Sequence, residues 1–247
     1  MGELIINQKF NVHNKDNEMN IINPYRYVSG GLDLPLGNII HQYDFDGDST
    51  DAVGSKDGTD TNMTYSTGLG DNKSAVFDGT AYIDLPNDMS SAAPEFTYSC
   101  LVKSNNTSTE GRCWTFDYTN DGFVTFRVNP LGVSNRVDVA VRRGNATTIV
   151  INSDSYTVSN WNHFAVTIDR DGAVIFYMNG TSIGSDTISP STNLGTLGTL
   201  TNVFGADRVY GRRLDGEMAA CKVWDAILTP TEASTLATAE LAGTKVN

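Results

Sequence analysis

The chain has 247 residues, a length that an all-β sandwich commonly reaches as one domain and that buries a substantial core without staples. A formal net charge of −12 argues against nucleic-acid binding, since phosphates would be repelled rather than neutralised. No apolar run approaches the length needed to span a bilayer, and 23 glycines at 39% hydrophobic content suit short strands and turns.

Residues 1–38 differ in composition from the rest. Leu4-Ile5-Ile6 and Ile21-Ile22 are apolar anchors in a polar stretch, followed by Pro24, Gly30-Gly31, Pro35 and Gly37. Such spacing disfavours a long helix and predicts an extended arm, either an edge strand of the main domain (residues 39–247) or an attachment segment. The first residues lack a basic start followed by an apolar core, so no signal peptide is expected. Ile39 to Phe45 reads as the first strand. Asp44, Asp46, Asp48, Asp51, Asp57 and Asp60 then crowd one segment. They are solvated loop acids or ligands for Ca²⁺, although the spacing is not that of an EF-hand. Asp51 is expected to fix its own loop through backbone N–H groups.

Tyr65 to Leu85 predicts two strands around Asp78-Gly79. Phe96–Lys103 and Arg112–Tyr118 form the next predicted pair across a polar loop. Gly122–Val128, Arg136–Arg142 and Thr147–Ile151 continue an antiparallel series, with Arg142-Arg143-Gly144-Asn145 as a turn. From Trp161 the pattern sharpens. Phe164, Val166 and Ile168 alternate with His163, Ala165 and Thr167, and Val174, Phe176 and Met178 alternate with Ala173, Ile175 and Tyr177. Asp169-Arg170-Asp171-Gly172 joins the two runs, with Gly172 free to take positive φ. Asn179-Gly180 predicts a type I′ turn into a brief third strand, Thr181–Gly184. Ser185 to Leu200 reads as an irregular exposed loop. Thr229, Pro230 and Glu232 predict a capping box opening a short helix, with Leu236, Ala237 and Leu241 as its apolar stripe.

The three cysteines, Cys100, Cys113 and Cys221, cannot all pair within one chain. Alternation places Cys100 with Tyr98 and Val102, and Cys113 opposite to Trp114 and Phe116, so a bridge between them is not expected. Three reduced thiols follow, with Cys221 inward beside Val223.

Several blocks carry a resemblance: Trp161-x-His163-x-Ala165-Val166-Thr167 with Tyr177-x-Asn179-Gly180-x-x-x-Gly184; Tyr43-x-Phe45-Asp46-Gly47 with Asp51-x-x-Gly54; Ala75-Val76-Phe77-Asp78-Gly79 with Tyr82-Ile83-x-Leu85-Pro86; Phe96-Thr97-Tyr98-Ser99 with Val102-Lys103; and Leu214-Asp215-Gly216 to Val223-Trp224. In this order, over roughly residues 40 to 240, they resemble laminin G-like domains of the concanavalin A-like lectin/glucanase superfamily. The resemblance implies an antiparallel jelly-roll β-sandwich with one short C-terminal helix and an N-terminal extended arm. A family metal site often uses an acidic pair near the closing Gly, but here Ala219 stands where the family has Asp. Ile21-Ile22-Asn23-Pro24-Tyr25-Arg26 is similar to the openings of bacteriophage structural proteins that carry such modules.

A glucanase of that superfamily would carry Glu-x-Asp-x-x-Glu on one strand, and no such run occurs; Asp117 and Asp138 are single acids. His163 has no sequence-predicted partner and reads as structural. No catalytic residue and no cofactor is therefore expected, Ca²⁺ remaining open. Sugars call for aromatic faces and planar polar groups, which Tyr118 and the run Asp207, Arg208, Tyr210, Arg212 and Arg213 offer at predicted strand ends. The same arginines would equally serve to pair with acidic loops of this chain or with a neighbouring subunit. Trp114 and Trp161 are expected in the core. Two functions are open. One is a virion decoration or fibre protein, assembled in a host cytoplasm, displaying a glycan- or host-surface-binding sandwich and joining other virion proteins or itself through the arm. The other is a carbohydrate-binding module of a secreted polysaccharide-degrading enzyme or adhesin.

Overall fold

The computed structural model describes residues 34–87, 89, 95–118, 122–142, 149–153, 156–169, 172–188, 202–207 and 209–247. In chain order the strands are β1 (Ile39–Tyr43), β2 (Thr59–Thr61), β3 (Thr64–Leu69), β4 (Asn72–Asp78), β5 (Tyr82–Leu85), β6 (Glu95–Ser104), β7 (Gly111–Tyr118) and β8 (Gly122–Val128). They continue with β9 (Val137–Arg142), β10 (Ile149–Ser153), β11 (Asn162–Asp169), β12 (Ala173–Met178), β13 (Thr181–Thr187), β14 (Asn202–Phe204) and β15 (Asp215–Trp224), and the helix α1 (Pro230–Leu241) closes the order. An eight-stranded sheet runs β13-β12-β11-β6-β15-β4-β3, with β1 also on β15; a seven-stranded sheet runs β10-β9-β8-β7-β14-β5-β2. The two antiparallel sheets form the jelly-roll sandwich expected from the sequence. Among the described residues no helix is long and apolar enough to cross a membrane.

Inward-facing residues of both sheets meet in one core. Phe126 of the seven-stranded sheet lies 4.5 Å from Phe164 and 5.6 Å from Phe176 of the other, centroid to centroid. Val166, Ile168, Val174 and Phe176 are fully buried, as their alternation requires. The outward residues of β11 are buried too, because α1 covers that face: Ala165, Tyr177 and Ala233 form a separate cluster. Alternation therefore read this strand as one-sided when both of its sides are covered. The helix opens on the expected box, Glu232 N–H donating to Thr229 Oγ1 and Thr229 N–H to Glu232 Oε2. Leu34, Leu36 and Ile39 pack with Trp224, Leu228, Leu236 and Val246, so the last residues of the expected arm belong to this outer layer. Residues 1–33, with their apolar pairs, lie outside the described residues.

Both turns of the meander carry a glycine, in different conformations. Asn179 and Gly180 take φ of 51° and 77°, the type I′ pair, and a Cβ on Gly180 would meet Ser234 Cα of α1 at 2.7 Å. Gly172 is not left-handed; a Cβ there would meet the Asp169 carboxylate, a side-chain end that would have to move aside.

Several pairings differ from expectation. The predicted two strands of Tyr65 to Leu85 are three, β3, β4 and β5, and the chain changes sheet after Asp78. Strands β6 and β7 are not a hairpin, since they lie in opposite sheets. The third strand of the meander reaches Thr187 rather than Gly184. A bulge between Arg112 and Trp114 turns Cys113 and Trp114 both inward, so Cys113 shares the core with Cys100 and Cys221. All three thiols are nonetheless free and buried, and burial pushes Cys113 and Cys221 well above the ordinary thiol range. Trp161 lies outside the main core. It packs with Leu101, Ala219 and Ala220 on the outer face of the eight-stranded sheet, with Lys103 Nζ 5.9 Å from its ring.

Candidate functional site

The polar interest of the fold lies on the outer face of the seven-stranded sheet. With Trp114, Phe116, Val124 and Phe126 turned to the core, register places Thr115, Asp117, Phe123, Thr125 and Arg127 on the opposite side. Arg127 donates to both oxygens of Asp138 on β9, at 2.5 and 2.6 Å. Arg112, held there by its bulge, donates to Thr125 Oγ1 at 3.1 Å and lies 3.0 Å from Glu110 Oε1. Burial pushes the Arg112 guanidinium down, and the Glu110 charge opposes that shift.

The described part of the segment between Gly205 and Leu214 borders this face. Asp207 organises it, Oδ1 accepting from the N–H groups of Val209 (3.2 Å) and Gly211 (2.7 Å). Arg112, Thr115, Phe123, Asp207, Val209 and Arg212 then line a cleft of about 290 Å³. Arg212 stands at its mouth with a side chain 55% exposed, 3.7 Å from Glu110 Oε1 and 3.8 Å from Asp207 Oδ2. Those distances exceed hydrogen-bond length, so neither carboxylate takes up a guanidinium donor while the charge is balanced.

The sequence-predicted site residues divide. Asp207 and Arg212 meet in the cleft. Tyr210 turns away from it: its ring lies 4.6 Å from Tyr82, and its hydroxyl donates to Asp84 Oδ1 at 2.8 Å. Arg213 donates to the carbonyls of Tyr210 (2.9 Å) and Thr80 (2.6 Å) and covers the Tyr82 ring at 5.2 Å. Both are fixed by this chain's own groups, Arg213 by backbone carbonyls and a ring rather than by an acidic loop. Arg208 lies outside the described residues. Tyr118 ends β7 opposite Gly122, and its side chain is likewise outside them. Glu110, Arg112, Thr115 and Phe123 were not singled out as site residues. Thr115 alone carries a local signal, a polar residue at an outward position of β7; Glu110 precedes that strand, Arg112 sits at its bulge and Phe123 is apolar.

His163 has the partner that local sequence could not supply. Its Nε2 lies 3.3 Å from Glu240 Oε2, and Lys222 Nζ donates to Glu240 Oε1 at 2.6 Å, all three side chains buried under α1. The acidic segment is occupied by protein groups. Asp51 accepts from the N–H groups of Gln42, Val53, Gly54 and Lys56 and pairs with His41 Nδ1 at 2.6 Å, fixing its loop as expected. Burial alone would raise that carboxyl, but His41 and the loop amides hold it well below the usual carboxylate range. Asp60 accepts from Ser49 and Tyr65, and Lys245 bridges Asp44 and Asp46. Among the described residues no three His, Cys, Asp or Glu side chains are grouped to hold a metal ion.

Two packed antiparallel sheets with a cleft on an outer face define a lectin-like β-sandwich. The family profile of the Concanavalin A-like lectin/glucanases superfamily matches residues 77–234, and the chain belongs to that superfamily. Among solved structures it is similar to domain 4 of AbnA, a GH43 extracellular arabinanase from Geobacillus stearothermophilus, in complex with arabinotriose. That likeness has a TM-score of 0.69 at 22% identity, over 81% of this chain and 98% of that one. It is also similar to the botulinum neurotoxin serotype G binding domain (TM-score 0.64, 15% identity, 82% of this chain and 51% of that one). The receptor binding domain of botulinum neurotoxin D gives TM-score 0.64 at 12% identity, over 83% of this chain and 53% of that one. The chain thus spans about half the length of those toxin domains. A comparison with the curated proteins finds no match.

Proposed function

We propose that this chain is a non-catalytic glycan-binding module whose ligand lies in the cleft bordered by the Gly205–Leu214 segment. The observation that carries this reading is the cleft itself: an exposed guanidinium, a carboxylate and a threonine beside Phe123 and Val209. Sugars need that mixture, directional polar groups for hydroxyls and apolar surface for C–H faces. Hydrolysis is not part of the reading, because Glu110 is paired with Arg112 and Asp207 holds two loop amides, rather than the two being set as an acid and nucleophile across a scissile bond. The reading invokes no cofactor, and EDTA in its test probes Ca²⁺. Retardation of the protein in gels containing single polysaccharides tests the reading. At least one polymer should bind, with and without EDTA, and none should release reducing sugar. Release abolished by one Asp or Glu substitution in a still-folded protein would overturn it.

The setting we favour is a virion, with the sandwich displayed as a decoration or fibre component toward a host surface. Its support is the resemblance of residues 21–26 to phage structural proteins. A module of a secreted polysaccharide-degrading enzyme is the second reading, supported by the likeness to the arabinanase domain. Deleting residues 1–33, and so keeping Leu34 and Leu36 in their cluster, should leave the melting curve and glycan binding unchanged. The truncated chain should no longer assemble with itself or with particles, by light scattering and by incorporation. Undiminished assembly would place the attachment surface elsewhere.

A further inference from the structure

Resting on the glycan-binding reading above, we infer that the cleft takes an uncharged sugar through two adjacent hydroxyls, one donating to Asp207 Oδ2 and the other accepting from the Arg212 guanidinium. Asp207 Oδ1 is consumed by two loop amides, whereas among the described residues Oδ2 has the 3.8 Å approach of Arg212. Arg212, 55% exposed, lines the cleft with its paired carboxylates at 3.7 and 3.8 Å, so among the described residues neither takes a hydrogen bond from its N–H donors. A carboxylate oxygen beside a guanidinium is the complement of a vicinal diol, which offers one donor and one acceptor at neighbouring positions.

The ion pairs around the cleft favour a neutral ligand over an anionic one. Arg112 is committed to Glu110, and Arg212 sits between Glu110 and Asp207, so two guanidinium charges face two carboxylates. The adjoining Arg127–Asp138 pair adds no net charge. A uronate, sulfate or sialate would bring its own negative charge close to Glu110 and Asp207, whose charges these guanidinium groups already balance. A neutral sugar meets no such cost, and Phe123 and Val209 supply apolar surface for its ring.

The test is affinity electrophoresis of the full chain against neutral polymers (arabinan, xylan, galactan, β-glucan) and anionic ones (polygalacturonate, hyaluronan, heparin), at low and high salt. Only neutral polymers should bind, with affinity changing less than about twofold between the two salts. Per-O-methylation of the bound polymer should abolish binding. Arg212→Gln should weaken it roughly tenfold or more at an unchanged melting temperature. Asp207→Asn, which keeps the loop-holding oxygen, should do the same, and if that loop fails to fold the exposed Arg212 position decides. Binding confined to anionic polymers and lost in salt would overturn the inference while leaving a binding module. Neutral binding indifferent to Arg212→Gln would overturn it as well. No binding to any polymer would overturn the module reading itself.

Discussion

Replacing Glu240 by alanine is expected to destabilise the protein by about 3–5 kcal/mol, the usual cost of removing one partner from a buried ion pair. Glu240 is fully buried and is the acceptor for Lys222 Nζ at 2.6 Å, with His163 Nε2 at 3.3 Å. The variant would leave the Lys222 ammonium without its counter-charge under α1. For a chain of this size the loss corresponds to a fall in Tm of roughly 10 °C. The double variant Glu240→Leu/Lys222→Met removes both charges and should recover most of it, so a double variant as unstable as the single one would refute the account. Burial raises the Glu240 carboxyl, but Lys222 and His163 more than offset this and hold it below its ordinary value of 4.5. A depressed carboxyl contributes its stability above the unfolded-state value and loses it as pH falls through the folded-state value. The wild type should therefore weaken below about pH 4. Glu240→Gln should lack this part of the acid dependence in urea titrations across that range.

Phe176→Ala should cost about 3–5 kcal/mol, mainly through the cavity it leaves. Phe176 is 1% exposed and stands between Phe126 of the opposite sheet and Phe164 of its own, 5.6 and 6.0 Å away. Neighbouring rings belong to strands of both sheets, so little of that space can close. Urea unfolding should show a lower midpoint at an unchanged slope, since the surface exposed on unfolding is nearly the same. Phe176→Leu keeps much of the volume and should lose less. An alanine variant within about 1 kcal/mol of wild type would mean that the two sheets do not pack as described.

The two kinds of variant probe different halves of what determines this protein. Local sequence was enough for the meander, because alternation of Phe164, Val166 and Ile168 with Val174 and Phe176 is set by the pleat of a single strand. It was enough as well for the Asn179-Gly180 turn and the Thr229–Glu232 box, whose groups lie within a few residues of each other. The Asp51 loop was legible for the same reason: its amide donors all lie close by in the chain. Tertiary structure decided what covers each outer face and which distant groups meet. The His163 side of β11 is buried only because a helix some seventy residues later in the chain packs on it. Cys113 faces the core only because β7 bulges, which shifts the alternation by one residue. The cleft was half visible. The run from Asp207 to Arg213 stood out by composition, yet Tyr210 and Arg213 proved to be committed to Tyr82, Asp84 and Thr80. Their place beside Arg212 and Asp207 is taken by Glu110, Arg112, Thr115 and Phe123, far away in sequence. Periodicity records which side chains share a face of one strand. Sheet order and the path of a bordering loop record which faces meet, and those are fixed by long-range pairing that only the folded chain contains.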